Sequence, residues 1–317
     1  MRRRRSPGSE TVAGQRPRIL HLISCLGHGG AEQLLVDMVA DRDRDTFDYE
    51  VAYVMARENG LVPAVEASGV IVHGLGARGN GDPTSLPALR RLLVDGNYDI
   101  VHCHLPYAAA LGRLVALSIP RRRRPVFVST QHSTWDKMSL FVRLLYRLAV
   151  AGDVRLIAVS RAARDALPRS LRQRATVVVH GMDLTRAADL RARRDAVRRE
   201  VRAELGLGEG EVLALTVANL RTEKGYDVLL EAARQVTDSG ARVRFAAAGR
   251  GPEEDQVRAL HRSLGLGEGF HLLGPRSDAL RLLAGADIFV LASHHEGLPV
   301  TIMEATSLGL AIVATAV

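Results

Sequence analysis

Residues 288–292 (Ile-Phe-Val-Leu-Ala) form a short apolar run bounded by polar residues, the signature of a buried strand. A loop carrying Glu296, Gly297 and Leu298 follows, and then Pro299. Proline suits the first turn of a helix, where its missing N–H leaves no bond unmade. Apolar and small residues from Val300 to Leu308 continue a helical pattern, and Gly309 can end it. The stretch therefore reads as strand, loop, helix, with Glu296 in the loop and Glu304 inside the helix. At about 1.5 Å per helical residue, the two carboxylates stand on the order of 10 Å apart. That exceeds the roughly 5–9.5 Å of an acid/base pair working on one bond. It suits a grip on the two ends of one elongated ligand.

What lies between the carboxylates fits such a ligand. A helix N-terminus offers unpaired N–H groups and the positive end of a dipole, a ready site for phosphate. Gly297 lets the backbone approach closely. A diphosphate flanked by two hydroxyl-bearing sugars matches this arrangement, which describes a nucleotide sugar. Spacing alone also allows a plainer reading, with Glu296 as a helix cap and Glu304 facing solvent. The motif Glu296-Gly297-Leu298-Pro299-Val300 with Glu304 eight residues after Glu296 closely resembles the signature of the family 4 retaining glycosyltransferases. The resemblance implies a GT-B fold, with two Rossmann-like α/β domains facing a cleft.

Length and composition set the frame. At roughly 150 residues per domain, the 317 residues suggest two domains. Hydrophobic residues at 47% and charged ones at 25% describe a globular protein with real cores. The net charge of +8 is almost wholly arginine, since lysine occurs only at Lys137 and Lys224. The arginines are spread through every segment and aromatics are 4%, with Trp135 the only tryptophan. Stacking platforms for a nucleic-acid strand are thus lacking, and no nucleic-acid partner is expected. Two cysteines, Cys25 and Cys103, suit a reducing compartment. No run of about 18 apolar residues occurs, and residues 1–16 are a basic arm without the apolar core of a signal peptide. A cytoplasmic location is expected.

Along the chain, apolar runs alternate with helical patterns in two series. The first series fills residues 17–185, read as one domain, with strands at 19–23, 49–55, 69–73, 99–104, 126–132, 156–160 and 175–179. The second fills residues 211–317, with strands at 212–217, 244–248, 270–274, 288–292 and 310–315. Residues 186–210 are arginine-rich, helical in pattern and read as a linker region. The chain stops on an apolar strand that would be left as an open edge. The resemblance implies closing helices beyond it, so a poorly soluble or inactive 317-residue protein is expected.

Several strand ends carry candidate residues. The turn at Gly27, Gly29 and Gly30 joins the first strand to a helix, the usual ligand position in a parallel sheet, although glycines there also serve the turn itself. His102 and His104 alternate along the fourth strand and so face the same way. No third and fourth ligand appears at zinc-site spacing, so no metal is expected. Residues 137–150 are apolar with Lys137, Arg143 and Arg147 interspersed. Together with Arg121–Arg124 they suit a packed helix that also rests on anionic headgroups. Lys224 stands out in a chain that otherwise uses arginine, and a compact ammonium is a good phosphate partner. Gly249 and Gly251 make a Gly-x-Gly too short to indicate dinucleotide binding.

Residue by residue, the resemblance implies roles. Gly29 and Gly30 resemble the family's glycine-rich loop over donor phosphates and acceptor, and His132 the histidine that touches the donor sugar. Lys224 matches the lysine on the donor diphosphate. Asn219 stands where the family most often has its arginine, a departure that Arg221 compensates. Gly249 and Gly251 resemble the turn that helps hold the nucleotide, Glu304 would hold ribose, and Glu296 to Pro299 the sugar. His180 and Met182 depart from the family's Asn-Gly-Val-Asp at the exit of the first domain, and Ala311 replaces its usual proline. The implied reaction transfers a hexosyl group to a glycan or lipid-linked acceptor with retention and no metal, as in cell-envelope polysaccharide or glycolipid synthesis. A double displacement through Glu296 is the mechanistic rival. A non-catalytic nucleotide-sugar-binding remnant and a GT-B sugar-nucleotide epimerase are the functional ones.

Overall fold

The structure is a computed structural model describing residues 16–27, 29–56, 59–79, 81–132, 140–150 and 155–317. It divides into two compact units, with the break between Val179 and His180. Most of the basic arm, His28, Trp135 and Lys137 lie outside the described residues.

The first unit holds a seven-stranded sheet of β1 (Arg18–Ile23), β2 (Asp48–Met55), β3 (Ile71–Ala77), β4 (Ile100–His104), β5 (Val126–Gln131), β6 (Arg155–Ala158) and β7 (Ala175–Val177). The order is β3-β2-β1-β4-β5-β6-β7 and every neighbouring pair is parallel. Its helices are α1 (Gly30–Ala40), α2 (Val62–Ala67), α3 (Ser85–Asp95), α4 (Pro106–Leu117), α5 (Leu140–Val150), α6 (Arg161–Asp165) and α7 (Arg169–Arg172). Strand alternation sends Leu20, Leu22, Val101, Cys103 and Phe127 into one core with Leu89 and Leu93 of α3 and Leu111 and Val115 of α4. Ile23 and Val51 point the other way, into a core with Leu35, Val36 and Val39 of α1 and Val65 of α2. Both cysteines are buried and neither is in a disulfide.

The second unit contains α8 (Thr185–Ala192), α9 (Arg194–Glu204), β8 (Val212–Val217), α10 (Tyr226–Asp238), β9 (Val243–Ala248), α11 (Glu254–Ser263), β10 (Phe270–Gly274), α12 (Ala279–Gly285), β11 (Ile288–Leu291), α13 (Val300–Ser307) and β12 (Ala311–Ala314). Its five strands run in the order β10-β9-β8-β11-β12, again all parallel. In both sheets the chain winds to one side of the first strand and then crosses to the other. The reversal falls between β1 and β4 in the first sheet and between β8 and β11 in the second.

Residues 186–210, expected as a linker region, lie within the second unit and are mostly the helices α8 and α9. Ala187, Val197, Val201 and Leu205 are buried with Leu282, Leu283 and Ala284 of α12. A Cβ at Gly285 would lie 2.5 Å from Val201 Cβ, so the helices meet where only glycine fits. Charged pairs add to the contact: Arg198 and Arg202 of α9 pair with Asp287, while Glu204 takes Arg276 at 2.7 Å and Arg281 at 2.9 Å. Arg198 and Arg202 thus serve the packing of α9 within the unit. Helix α13 begins at Val300 with Pro299 as its N-cap, one residue later than the sequence suggests. It ends in a Schellman motif: Leu310 N donates to Ala305 O and Gly309 N to Thr306 O, with Gly309 at φ 72°.

Candidate functional site

In open α/β sheets a ligand sits beyond the carboxyl ends of the strands, where the strand order reverses. In the second unit that point is framed by the loops after β8 and β11. The first loop runs through Asn219 and Arg221 into a 3-10 turn, Thr222–Lys224, and ends at Gly225. Gly225 has φ 62°, and a Cβ there would lie 2.1 Å from Ala292 O, so backbone meets backbone at a point only glycine allows. His294 N donates to Glu223 O at 2.9 Å and clamps the two loops together.

This clamp sets Lys224 against Glu296. The ammonium Nζ is 2.5 Å from Glu296 Oε1, and the buried Ser293 Oγ donates to the same oxygen at 2.7 Å. The Lys224 and Glu296 side chains are only 22% and 14% exposed. Pairing therefore joins the residue expected on the diphosphate to the residue expected on the sugar. Ser293 was not among the sequence-predicted residues. Its sole sequence signal is its place three residues before Glu296. Glu304 is half-buried on α13, whose N-terminus follows the Gly297-Leu298-Pro299 loop. Arg221 is exposed, and Asn219 accepts Arg221 N through its backbone carbonyl at 2.9 Å.

Gly249 and Gly251 belong to a second close approach. A Cβ at Gly249 would lie 1.9 Å from Ala218 O, and one at Gly251 would lie 2.1 Å from Leu220 O. Backbone bonds from Ala218 N to Ala248 O, Leu220 N to Arg250 O and Glu253 N to Leu220 O hold the loops after β8 and β9 in register. These glycines position the Asn219 to Lys224 loop from beneath.

The first unit carries Gly29, Gly30 and His132. Gly29 is the N-cap of α1, and Gly30 its first residue. Glu32 folds back over this turn, since a Cβ at Gly29 would lie 2.2 Å from Glu32 Oε2. Cys25 Sγ also donates to Glu32, at 3.2 Å to Oε1. His132 follows β5, and its Nε2 is 3.3 Å from His104 Nδ1. His104 Nε2 in turn meets His21 Nδ1 at 3.1 Å. Sequence spacing found His102 and His104 but missed His21, because β1 and β4 are 81 residues apart in sequence yet pair His21 with His102 in register. Burial lowers His21 to a pKa of about 4, so it is neutral at pH 7. After His104 the backbone turns sharply through Leu105 at φ 72°, a strained conformation for leucine that marks this corner.

Comparison with known proteins agrees with this geometry. Residues 15–186 match the family model described as Glycosyltransferase Family 4, and residues 197–317 that of Glycosyl transferases group 1. The chain is 25% identical over 306 residues to the putative glycosyltransferase EpsF of Bacillus subtilis, covering 92% of this chain and 77% of EpsF. It is 28% identical over 241 residues to an Escherichia coli UDP-Gal:alpha-D-GlcNAc-diphosphoundecaprenol alpha-1,3-galactosyltransferase, covering 72% of this chain and 60% of that enzyme. Anabaena HepE, solved in complex with UDP and glucose, superposes with a TM-score of 0.77 at 23% identity, over 93% of this chain and 80% of HepE. The lipopolysaccharide glycosyltransferase WaaG superposes with a TM-score of 0.68 at 17% identity, over 95% of this chain and 81% of WaaG. With two parallel α/β units of the GT-B fold and a family match across more than half its length, the chain belongs to Glycosyltransferase Family 4.

Proposed function

We propose that the protein transfers a hexosyl group, with retention, from a UDP-linked donor to a glycan or lipid-linked acceptor in cell-envelope polysaccharide or glycolipid synthesis. The observation that carries this reading is the Lys224–Glu296 pair at the reversal point of the second sheet, beside the N-terminus of α13. Without donor the two charges neutralise each other. A bound diphosphate offers Lys224 a stronger anion, and the sugar hydroxyls offer Glu296 donors. Arg221 and the α13 N-terminus add positive potential where the leaving diphosphate gains charge, which is catalysis of the oxyanion type. Asn219, Gly249, Gly251 and the residue 297–300 loop shape the nucleotide end, Glu304 takes ribose hydroxyls, and Gly29, Gly30 and His132 serve sugar and acceptor. The solved HepE complex with UDP and the UDP-galactose-dependent relative support uridine as the base. In a thermal-shift panel of UDP-, GDP- and ADP-sugars, a UDP-sugar at 100 times its dissociation constant stabilises by about 2.7 kcal/mol. Equal responses to all three, or none, would remove the UDP assignment.

We also propose that the reaction needs no metal on the diphosphate. The overlapping Asp-x-Asp pattern at Asp41, Asp43 and Asp45 lies between α1 and β2, at the amino end of the sheet. Asp43 Oδ1 accepts Asp45 N and Thr46 N, both at 3.0 Å, so this carboxylate shapes a turn. Transfer is expected to persist in EDTA and in Asp43→Asn. Loss with chelator and recovery with Mn²⁺ or Mg²⁺ would overturn the assignment.

A lipid-linked acceptor requires approach to a membrane, and we propose α4, α5 and the turn after α4 as the surface that makes it. Among the described residues no helix is long and apolar enough to cross a membrane. Helices α4 and α5 pack through Leu111, Val115, Tyr146 and Val150, yet Leu114, Leu117 and Leu144 are 58%, 68% and 59% exposed. The exposed turn Arg121–Arg123 follows directly. Leucines beside arginines suit an anionic interface. The protein is expected to sediment with phosphatidylglycerol vesicles and not with phosphatidylcholine ones, and Leu117→Asp with Arg122→Glu should release it. Equal sedimentation with both vesicle types would contradict this surface.

A further inference from the structure

The histidines at the reversal point of the first sheet form a cluster that the transfer chemistry does not require. His21 and His102 share a rung of the parallel β1–β4 pair, and His104 stands two residues further along the same face. Ring centroids lie 5.2 Å apart for His21 and His102, 5.3 Å for His21 and His104, and 4.3 Å for His102 and His104. One ring nitrogen from each of the three lies within 4.8 Å of the others. His21 and His104 are buried, His102 half-buried.

We propose that His21, His102 and His104 bind one divalent transition-metal ion, with Zn²⁺ the best match to three imidazoles. A tetrahedral zinc with bonds of about 2.1 Å holds its nitrogen ligands about 3.4 Å apart. The His21 Nδ1 to His104 Nε2 separation of 3.1 Å is already near that value. Without a cation, these two nitrogens share one proton. With a cation between them, both lone pairs are used. His104 then carries its proton on Nδ1 and donates it to His132 Nε2, 3.3 Å away. His102 Nε2 lies 2.7 Å from Thr130 Oγ1, which orients that ring while the other nitrogen ligates. Outer partners of this kind are what hold metal-binding histidines in one tautomer. Three protein ligands leave the fourth position for water or another ligand. The ion joins neighbouring strands and steadies the strained turn at Leu105.

The test reads binding and so is separate from the transfer assay. The full chain is stripped with EDTA, desalted and titrated with Zn²⁺ against a chromophoric chelator. One equivalent should bind with a dissociation constant at or below about 1 μM. Co²⁺ in its place should give the intense visible bands of a tetrahedral site. His102→Gln and His21→Gln should each weaken Zn²⁺ by about 100-fold or more, while His271→Gln, in the second unit, leaves it unchanged. Circular dichroism checks folding, and the half-buried His102 keeps the test alive if the buried His21 variant unfolds. No stoichiometric Zn²⁺ on the wild type overturns the proposal. So does a folded His102→Gln protein that keeps wild-type affinity.

Discussion

Lys224→Ala should lower kcat by about 100-fold or more, while Glu304→Ala should chiefly raise KM for the donor. The difference follows from where charge appears. Ribose hydroxyls have the same charge in ground and transition states, so Glu304 contributes uniform binding. The diphosphate gains charge as the glycosidic bond breaks, and a cation fixed beside it stabilises the transition state preferentially. The structure adds a complication. Lys224 is 2.5 Å from Glu296, so its removal also leaves a mostly buried carboxylate without its cation. Part of any loss could therefore be a misplaced Glu296. A cycle of Lys224→Ala, Glu296→Gln and the double variant separates the two, since groups acting together give non-additive losses. Donor dissociation constants and melting temperatures should be measured on each. If Lys224→Ala changes KM alone, lysine binds the donor without acting on the leaving group.

Gly249→Ala should destabilise the second unit by about 3 kcal/mol or more, on the order of 10 °C in melting temperature. The added Cβ would lie 1.9 Å from Ala218 O and 2.8 Å from its carbonyl carbon. Both are backbone atoms in a loop tied down by the Ala218 N to Ala248 O and Leu220 N to Arg250 O bonds. Relief requires shifting the loop that carries Asn219, Arg221 and Lys224, so donor binding should weaken along with stability. Gly181→Ala is the control, because nothing lies within 4 Å of its Cβ. Equal melting temperatures for the two variants would show that the loops relax freely and that Gly249 serves only the ligand.

The sequence by itself determined the architecture, because each unit is built from local patterns. Apolar runs bounded by turns announced the twelve strands among the described residues, seven in one sheet and five in the other. Pro299 and Gly309 bracketed α13 to within a residue, since proline and a left-handed glycine act through backbone geometry that neighbours cannot override. The placement of Glu296 in the loop before α13 and of Glu304 inside that helix was legible for the same reason. Segment 186–210 was helical as its pattern said, but its allegiance was not legible. Only packing of Val197 and Val201 against α12 assigns it to the second unit. Three further facts lay in tertiary structure alone. Lys224 and Glu296 are 72 residues apart and meet because β8 and β11 are neighbours. The need for glycine at Gly249 comes from a carbonyl on another loop. His21 joins His102 and His104 because parallel pairing brings distant strands into one register. Local geometry is written in adjacent residues, whereas a contact across a sheet depends on strand order, which no single segment encodes.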